Sequence, residues 1–140
     1  MGSVYERAEI YDLLENKERT EIIRNDWKEF LGQRKIKTLL DVSIGTGSMT
    51  LPLQELNIEI FGSDLSREML SRCREKAMKK NRPVRLECCD FRDLSCWGDL
   101  KFDCVASTGN ALGYVSNKDV LKTVEEMDAH IRPGGYFCFD

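Results

Sequence analysis

Two kinds of apolar periodicity alternate along this chain, and that alternation restricts its fold more than any other feature. Short apolar runs are separated by stretches in which apolar residues recur at helical spacing, and these stretches begin near Ser48, Ser66 and Ser116. The runs predict five strands, at Ile36–Val42, Ile58–Gly62, Val84–Cys88, Phe102–Ala106 and Tyr136–Phe139. Strands that alternate with helices indicate βαβ units, so we expect an α/β fold with a mostly parallel sheet and helices on both faces.

The helical stretches divide the chain into two parts. Apolar residues at helical spacing from Val4 to Leu31 predict one or two amphipathic helices, and Gly32 ends them. Residues 1–32 are therefore expected to form a helical lid or cap, and residues 33–140 the sheet domain. We expect the helix after Ser66 to run to about Lys80, and the helix after Ser116 or Asn117 to run through Ile131, with residues 132–135 ending it.

Composition excludes several classes of function. With 21 basic and 24 acidic residues, the chain has a formal charge of −3, which disfavours binding to nucleic acid through phosphate contacts. No apolar run approaches the length of a membrane span, and the N-terminus does not read as a signal peptide. The six cysteines lack Cys-x-x-Cys spacing and accompany a single histidine, so no zinc pattern is present. We expect a cytoplasmic protein with no metal site, whose thiols are reduced and buried.

Polar residues collect at the points where the predicted strands end. The first strand leads into a glycine turn at residues 45–47, and Asp64 follows the second strand. Asp90 and Phe91 follow the third strand, and a polar cluster at residues 107–110 follows the fourth. Ligands bind at the carboxyl ends of the strands in such sheets, so these four groups predict one nucleotide-binding crevice. Taken singly, Asp64 could cap the next helix and Asp90 could be a turn residue.

The glycine turn does not match the common phosphate-binding motifs. The dinucleotide fingerprint needs a third glycine where this chain has Thr50. The triphosphate loop needs a lysine after its glycines, and none follows here. The turn is therefore not built for phosphates, and a nicotinamide-dependent oxidoreductase is disfavoured.

The chain resembles the class I S-adenosylmethionine-dependent methyltransferases. The segments that carry the resemblance follow the family's order over nearly all of residues 36–140, and they read LLDVSIGTGSMTLPL, IFGSDLSREMLSRCREK, RLECCDFRDL, FDCVASTGNALGYV and IRPGGYFCFD. Within the family, GNALGYV and the helix upstream of the sheet look most like small-molecule methyltransferases of the glycine/sarcosine kind. The resemblance implies a Rossmann-like sheet, S-adenosyl-L-methionine as cofactor, and methyl transfer to a small-molecule acceptor.

The resemblance also implies roles for individual residues. Asp41 would anchor the methionine amino group, and Asp64 would hold the ribose hydroxyls. Asp90 would accept from the adenine amino group, and Phe91 would pack on the ring. The other implied cofactor-binding residues are Ser43, Gly45 and Gly47 along the methionyl part, Leu65 and Met69 against adenine, Thr108 and Asn110 near the methyl group, Arg19 for the carboxylate, and Tyr11 over the site. Ser43 stands where the family usually has glycine.

Residue chemistry agrees with this reading in outline. A cationic sulfonium favours carboxylates, carbonyl oxygens and ring faces over a basic cradle, and the strand ends supply them. A general base is optional for a neutral amine or thiol acceptor, so no catalytic residue is assigned. His130 sits late in a predicted helix, where it is expected to cap the helix or face solvent. The alternative function is a cofactor-binding module or fragment without turnover.

The last predicted strand raises a question about the edge of the sheet. The resemblance implies seven strands, of which five are present, in the order 3-2-1-4-5. The two remaining strands would cover the fifth, which carries Tyr136, Phe137 and Phe139. An uncovered apolar edge invites pairing. We therefore expect either that the chain is truncated or that it self-associates through this edge.

Overall fold

A single parallel sheet organises the structure, which is a computed structural model and describes residues 17–109 and 111–139. The strands are β1 (Thr38–Asp41), β2 (Glu59–Asp64), β3 (Arg85–Cys88), β4 (Phe102–Ser107) and β5 (Ile131–Phe139). Their order is β3-β2-β1-β4-β5, and every neighbouring pair runs parallel. The predicted α/β class and the 3-2-1-4-5 strand order are confirmed.

Serine side chains cap two of the three described α-helices. The elements are α1 (Lys17–Leu31), α2 (Arg67–Lys79) and α3 (Asn117–Asp128), with 3-10 helices at Leu51–Leu56, Ser95–Trp97 and Ala111–Tyr114. The Ser66 and Ser116 hydroxyls accept from the backbone N–H groups of Met69 and Asp119, so both predicted caps are confirmed. The helix expected from Ser48 is instead a short 3-10 helix, with Pro52 in its first turn, where a missing N–H is tolerated.

Alternate residues of the strands feed two apolar clusters, one on each face of the sheet. Leu39 of β1 points into a cluster with side chains of α1 and α2, and its neighbour Leu40 points into the other cluster. That second cluster contains Trp97 and, from α3, Met127. Period-two alternation therefore buries both faces of β1, which requires helices on both sides, as predicted.

The helix α1 packs onto the segment that follows the glycine turn. Its Ile23 and Trp27 are buried, and the Trp27 indole N–H donates to the carbonyl oxygen of Met49 at 2.5 Å. Arg24 pairs with Glu55 of the first 3-10 helix. This part of the predicted N-terminal segment is thus fastened beside the carboxyl end of β1, while residues 1–16 lie outside the described part of the chain.

The boundary between α3 and β5 corrects the prediction that the last helix runs through Ile131. The helix ends at Asp128, and Ile131 is already the first residue of β5. The reason is sheet pairing: the Phe102 N–H donates to the His130 carbonyl oxygen at 2.8 Å, and Ile131 pairs with Phe102. Residues 132–135 fall inside β5, where the register shifts.

His130 and the cysteines also depart from expectation. His130 is only 6% exposed, and its Nδ1 lies 2.8 Å from the Leu100 carbonyl oxygen, so it neither caps α3 with its side chain nor faces solvent. All six cysteines are free, but only Cys73 and Cys104 are buried, and Cys88 is exposed. The prediction of buried thiols is therefore wrong for Cys88.

The outer strand of the sheet carries exposed aromatic rings. Phe137 and Phe139 are 37% and 45% exposed, and their rings stack with centroids 5.9 Å apart. Self-association through this edge stays a prediction. Within the described residues, none of the helices has the length and apolar character needed to cross a bilayer.

Candidate functional site

An open cavity with about 340 Å³ of empty volume lies at the carboxyl end of β1, between the glycine turn, α2 and the end of β4. Its described lining residues are Ser43, Ile44, Gly45, Thr46, Ser48, Met49, Met69, Thr108 and Gly109. Parallel strands end at one edge of the sheet, so the topology brings residues far apart in sequence to this place. Four of the predicted cofactor-binding residues line it, namely Ser43, Gly45, Met69 and Thr108. Gly47 belongs to the same turn but is not among the described lining residues.

Asp41 is a fully buried carboxylate at the end of β1. Its Oδ1 accepts from the Ser43 N–H at 3.1 Å, and its Oδ2 accepts from the hydroxyls of Thr108 at 2.6 Å and Thr50 at 3.3 Å. Burial raises the pKa of Asp41 to about 6, and the hydrogen bond from Thr108 partly opposes that rise. The charge is therefore held by neutral donors alone, an arrangement in which an added ligand cation would be favoured.

Ser43 joins the turn after β1 to the end of β4. Its hydroxyl donates to the Thr108 carbonyl oxygen at 2.9 Å and lies 3.0 Å from the Ser107 hydroxyl. A glycine at this position could not make either contact. The departure from the family's usual glycine is therefore accommodated by a local partner rather than by strain.

Asp64 braces the glycine turn from the end of β2. Its Oδ2 accepts from the Gly45 N–H and its Oδ1 from the Ser66 N–H, both at 2.9 Å. The alternative that Asp64 caps α2 is wrong, since Ser66 is the N-cap residue. Burial raises the pKa of Asp64 against the opposing effect of these backbone bonds. Each carboxylate oxygen keeps a second lone pair, which leaves capacity for two ligand hydroxyls.

The glycines of the turn are required by backbone shape and by packing. Gly45 and Gly47 have φ values of +57° and +85°, a region that side chains disfavour. A Cβ on Gly47 would also lie 2.6 Å from Leu51 Cγ and 2.9 Å from Cys73 Sγ. The chain can therefore turn tightly at Gly47 only without a side chain.

Asp90 and Phe91 follow β3 in a different environment. The Arg92 guanidinium contacts both Asp90 oxygens, with Nε 3.0 Å from each and Nη2 2.5 Å from Oδ2. This hydrogen-bonded pair holds the pKa of Asp90 below its usual range. Arg92 Nη1 also lies 3.3 Å from Asp119 of α3. Phe91 is half-buried and packs against the cluster that contains Trp97.

The remaining predicted site residues occupy varied positions. Met69 is 1% exposed and lines the cavity, whereas Leu65 is 66% exposed on the surface before α2. Arg19 is exposed near the start of α1 and is not among the described lining residues. Tyr11 and Asn110 lie outside the described residues, so their predicted roles stay predictions.

Sequence reasoning missed a hydroxyl pair that closes one side of the cavity. The hydroxyls of Thr46 and Ser48 lie 3.2 Å apart, and Lys76 Nζ donates to them at 3.3 and 3.4 Å. Thr50 occupies the position of the third glycine of the dinucleotide fingerprint, and its hydroxyl donates to Asp41, a role that the fingerprint comparison does not predict. Thr46, Ser48 and Thr50 all lie in or beside the Gly-Thr-Gly-Ser segment. The hydroxyl residues of the turn are therefore the local signal from which these contacts could be predicted.

Comparisons with known proteins agree with this arrangement. Residues 39–135 match a family model described as a methyltransferase domain. A putative methyltransferase, YqeM, from Bacillus subtilis is 33% identical over 103 residues, which cover 73% of this chain and 41% of that protein. A glycine/sarcosine N-methyltransferase from Halorhodospira halochloris is 29% identical over 111 residues, which cover 79% of this chain and 41% of that protein.

A solved structure shares the fold. An S-adenosylmethionine-dependent methyltransferase from Clostridium acetobutylicum superposes with a TM-score of 0.76 at 26% sequence identity. The match covers 94% of this chain and 55% of that one. The chain therefore spans about half the length of that structure and about two fifths of the two curated relatives.

Proposed function

Because the chain belongs to the class I S-adenosylmethionine-dependent methyltransferase family, we propose that it binds S-adenosyl-L-methionine and takes part in methyl transfer to a small-molecule acceptor. The activity is proposed for the protein to which this domain belongs, since the matched relatives are longer than the chain. The observation that carries the proposal is the pair of carboxylates at the ends of β1 and β2: Asp41 accepts from the lining residues Ser43 and Thr108, and Asp64 accepts from the lining residue Gly45.

The cavity suits a cationic amino-acid and nucleoside ligand better than a phosphate. None of its described lining residues is lysine or arginine, and the fully buried Asp41 lies at the end of the strand that leads into it. Asp41 is held by neutral donors, so a ligand ammonium group would supply the missing positive charge. Asp64 has acceptor capacity for a ribose diol. A diphosphate would be repelled by the Asp41 and Asp64 carboxylates, although Lys76 bonds the Thr46 and Ser48 hydroxyls on one side of the cavity.

The individual assignments are those that the family resemblance implies. Asp41 binds the methionine amino group, Asp64 binds the ribose hydroxyls, and Asp90 with Phe91 receives the adenine ring. The other proposed contacts are the turn at Ser43, Gly45 and Gly47, Leu65 and Met69 at the adenine, Thr108 and Asn110 beside the methyl group, and Arg19 and Tyr11 from the N-terminal segment.

When bound, the cofactor supplies an electrophilic methyl group, so the protein's main task is to hold the acceptor in line behind it. Positioning of this kind lowers a barrier by about 7–11 kcal/mol in favourable cases. The cluster of Ser43, Ser107, Thr108 and Asp41 hydrogen bonds fixes the end of β4 relative to the turn after β1. Two walls of the site therefore keep their spacing while the acceptor enters.

A small-molecule acceptor is supported by the kind of relatives that the chain matches. One is named as a glycine/sarcosine N-methyltransferase and another, from Deinococcus radiodurans, as a demethylmenaquinone methyltransferase. The formal charge of −3 also disfavours a nucleic-acid substrate. A cytoplasmic location and self-association through β5 are further parts of this proposal.

Calorimetric titration of the chain with three ligands tests the cofactor assignment. S-adenosylmethionine and S-adenosylhomocysteine are expected to bind, and NAD is expected not to. Cofactor binding should also raise the melting temperature by mass action. Binding of NAD without binding of either sulfur ligand would contradict the proposal.

Turnover is tested separately, with labelled S-adenosylmethionine and a panel of amines, thiols and carboxylates. Methyl transfer that is lost in the Asp64→Ala variant would support an enzyme. Cofactor binding without transfer to any member of the panel would instead indicate a binding module.

A further inference from the structure

Two cysteines that lie seven positions apart in sequence bring their sulfur atoms together beside the proposed adenine site. Cys89 follows β3, Cys96 lies in the 3-10 helix Ser95–Trp97, and their Sγ atoms are 2.8 Å apart. A disulfide bond is about 2.05 Å long, so the two atoms need to move by less than about 1 Å to bond. Both side chains are half-buried, which leaves access for a small reagent.

Hydrogen bonds fix Cys89 and the residues on either side of Cys96. The Cys89 N–H donates to the Asp64 carbonyl oxygen at 3.1 Å, which fixes Cys89 against the end of β2. On the other side, the Leu94 N–H donates to Glu126 of α3 at 2.8 Å, and the Trp97 N–H donates to the Leu94 carbonyl oxygen at 3.0 Å. The sulfur atoms are therefore brought together by the fold rather than by chance mobility of a loop.

We propose that Cys89 and Cys96 are a disulfide-forming pair, oxidised by peroxide or by exchange with a small disulfide. With hydrogen peroxide, one thiolate attacks an oxygen atom and becomes a sulfenic acid while the O–O bond breaks and water leaves. The second sulfur then attacks the sulfenic sulfur and releases another water. Two thiols and one peroxide thus give one disulfide and two waters, which balances atoms and electrons.

Adjacent Cys88 does not share this geometry, although it is one residue away. Its Sγ lies 3.5 Å from the Leu65 carbonyl oxygen, and its side chain is exposed. Successive residues at a strand end point to opposite faces, so Cys88 and Cys89 face different surroundings. Cys88 therefore serves as a matched control.

The bond would close a loop over residues 89–96, which contains Asp90 and Phe91. Because the sulfur atoms are already close, oxidation should preserve the loop geometry and pin it. Burial raises the pKa of both thiols, that of Cys89 to about 12, so the reaction is expected to be slow. Only the effect on adenine binding rests on the proposed function; formation of the bond does not.

Peptide mapping tests the bond directly. The chain is treated with hydrogen peroxide or oxidised glutathione, its free thiols are alkylated, and it is digested with trypsin without reduction. Cleavage after Arg85, Arg92 and Lys101 separates residues 86–92 from residues 93–101. The expected product is one species that joins these two peptides, lighter than their sum by two hydrogen atoms and separated by reductant.

Serine variants identify the partners. Cys89→Ser and Cys96→Ser should abolish the joined peptide, and Cys88→Ser should leave it unchanged. Loss of the joined peptide in Cys88→Ser but not in Cys89→Ser would overturn the proposal. So would oxidation of the wild-type chain that yields only sulfinic acids or intermolecular dimers.

A second measurement concerns the folded protein. Closing this short loop should raise the melting temperature by about 5 °C in the wild-type chain and in Cys88→Ser. S-adenosylhomocysteine should bind the oxidised and reduced forms with affinities within about threefold of each other. A lower melting temperature on oxidation would mean that the sulfur atoms are not poised to bond. Failure of both forms to bind the ligand would instead count against the proposed function alone.

Discussion

The carboxylates at the ends of β1 and β2 differ from the carboxylate at the end of β3 in what holds them. Asp41 and Asp64 are held by backbone N–H groups and hydroxyls, and burial raises the pKa of each. Asp90 is held by the Arg92 guanidinium, which lowers its pKa. The first two have no cationic partner among the contacts above and retain acceptor capacity, whereas the third already has an ionic partner at the surface.

This difference teaches how the two halves of the site would bind. In the buried half, the turn is arranged before any ligand arrives, so a ligand gains contacts without displacing a protein group. At the exposed edge, a ligand amino group must share or replace a pair that water already screens. We therefore expect the buried half to dominate cofactor affinity and the exposed edge to adjust it.

The largest expected effect comes from filling the glycine turn. Gly47→Ala places a Cβ 2.6 Å from Leu51 Cγ at a φ of +85°, so the turn must shift. We expect a loss of about 3 kcal/mol in the free energy of unfolding, measured with urea, and no measurable cofactor binding. The matched control is Gly98→Ala, whose φ is +58° but whose Cβ would meet nothing within 4 Å. Equal losses in both variants would show that packing under the turn is irrelevant.

Removing the brace between β2 and the turn should have the next largest effect. Asp64→Ala removes the acceptor of the Gly45 and Ser66 N–H groups as well as the proposed partner of the ribose. We expect calorimetry to show affinity for S-adenosylhomocysteine weakened at least about tenfold. Asp64→Asn keeps one acceptor oxygen, so its affinity should lie between those of the wild type and the alanine variant. Unchanged affinity in the alanine variant would remove Asp64 from the site.

The raised pKa of Asp41 predicts that cofactor affinity depends on pH, with an effect no larger than that of Asp64→Ala. With a pKa of about 6, Asp41 is mostly ionised at pH 7.5 and mostly protonated at pH 5. A ligand ammonium group binds the ionised form, so affinity should fall by about tenfold as pH falls from 7.5 to 5. The ligand dissociation constant, measured across this range, should change much less in Asp41→Asn, in which only Asp64, whose pKa burial also raises, can still titrate at the turn. A wild-type chain without this fall would place the ammonium group elsewhere.

The sequence predicts features that depend on neighbours along the chain better than those that depend on distant pairs. Period-two burial and the serine caps follow from local patterns, and the structure has both as expected. Asp41 and Asp64 are the last residues of β1 and β2, while their roles toward a cofactor stay predictions. The end of α3 was misplaced because the pairing of Ile131 with β4 overrides its helical spacing. The contact of Arg92 with Asp119 joins the loop after β3 to α3, and no local sequence pattern predicts it.

The smallest effect, and the sharpest test of the comparison, is expected at Arg92. Arg92→Gln frees the Asp90 carboxylate but also removes the group that orients it, so the two consequences oppose each other. Because the guanidinium is exposed, we expect S-adenosylhomocysteine affinity to stay within about threefold of wild type. Salt screens exposed ion pairs, so the difference in affinity between variant and wild type should become smaller as the salt concentration is raised from about 50 to about 500 mM. The control Asp119→Asn leaves the Asp90 contacts in place and should change affinity less. A loss of affinity of more than about tenfold in Arg92→Gln would contradict this expectation. It would mean that the ion pair preorganises the adenine edge as firmly as backbone N–H groups preorganise Asp64. The site would then not divide into a buried half that dominates affinity and an exposed edge that adjusts it.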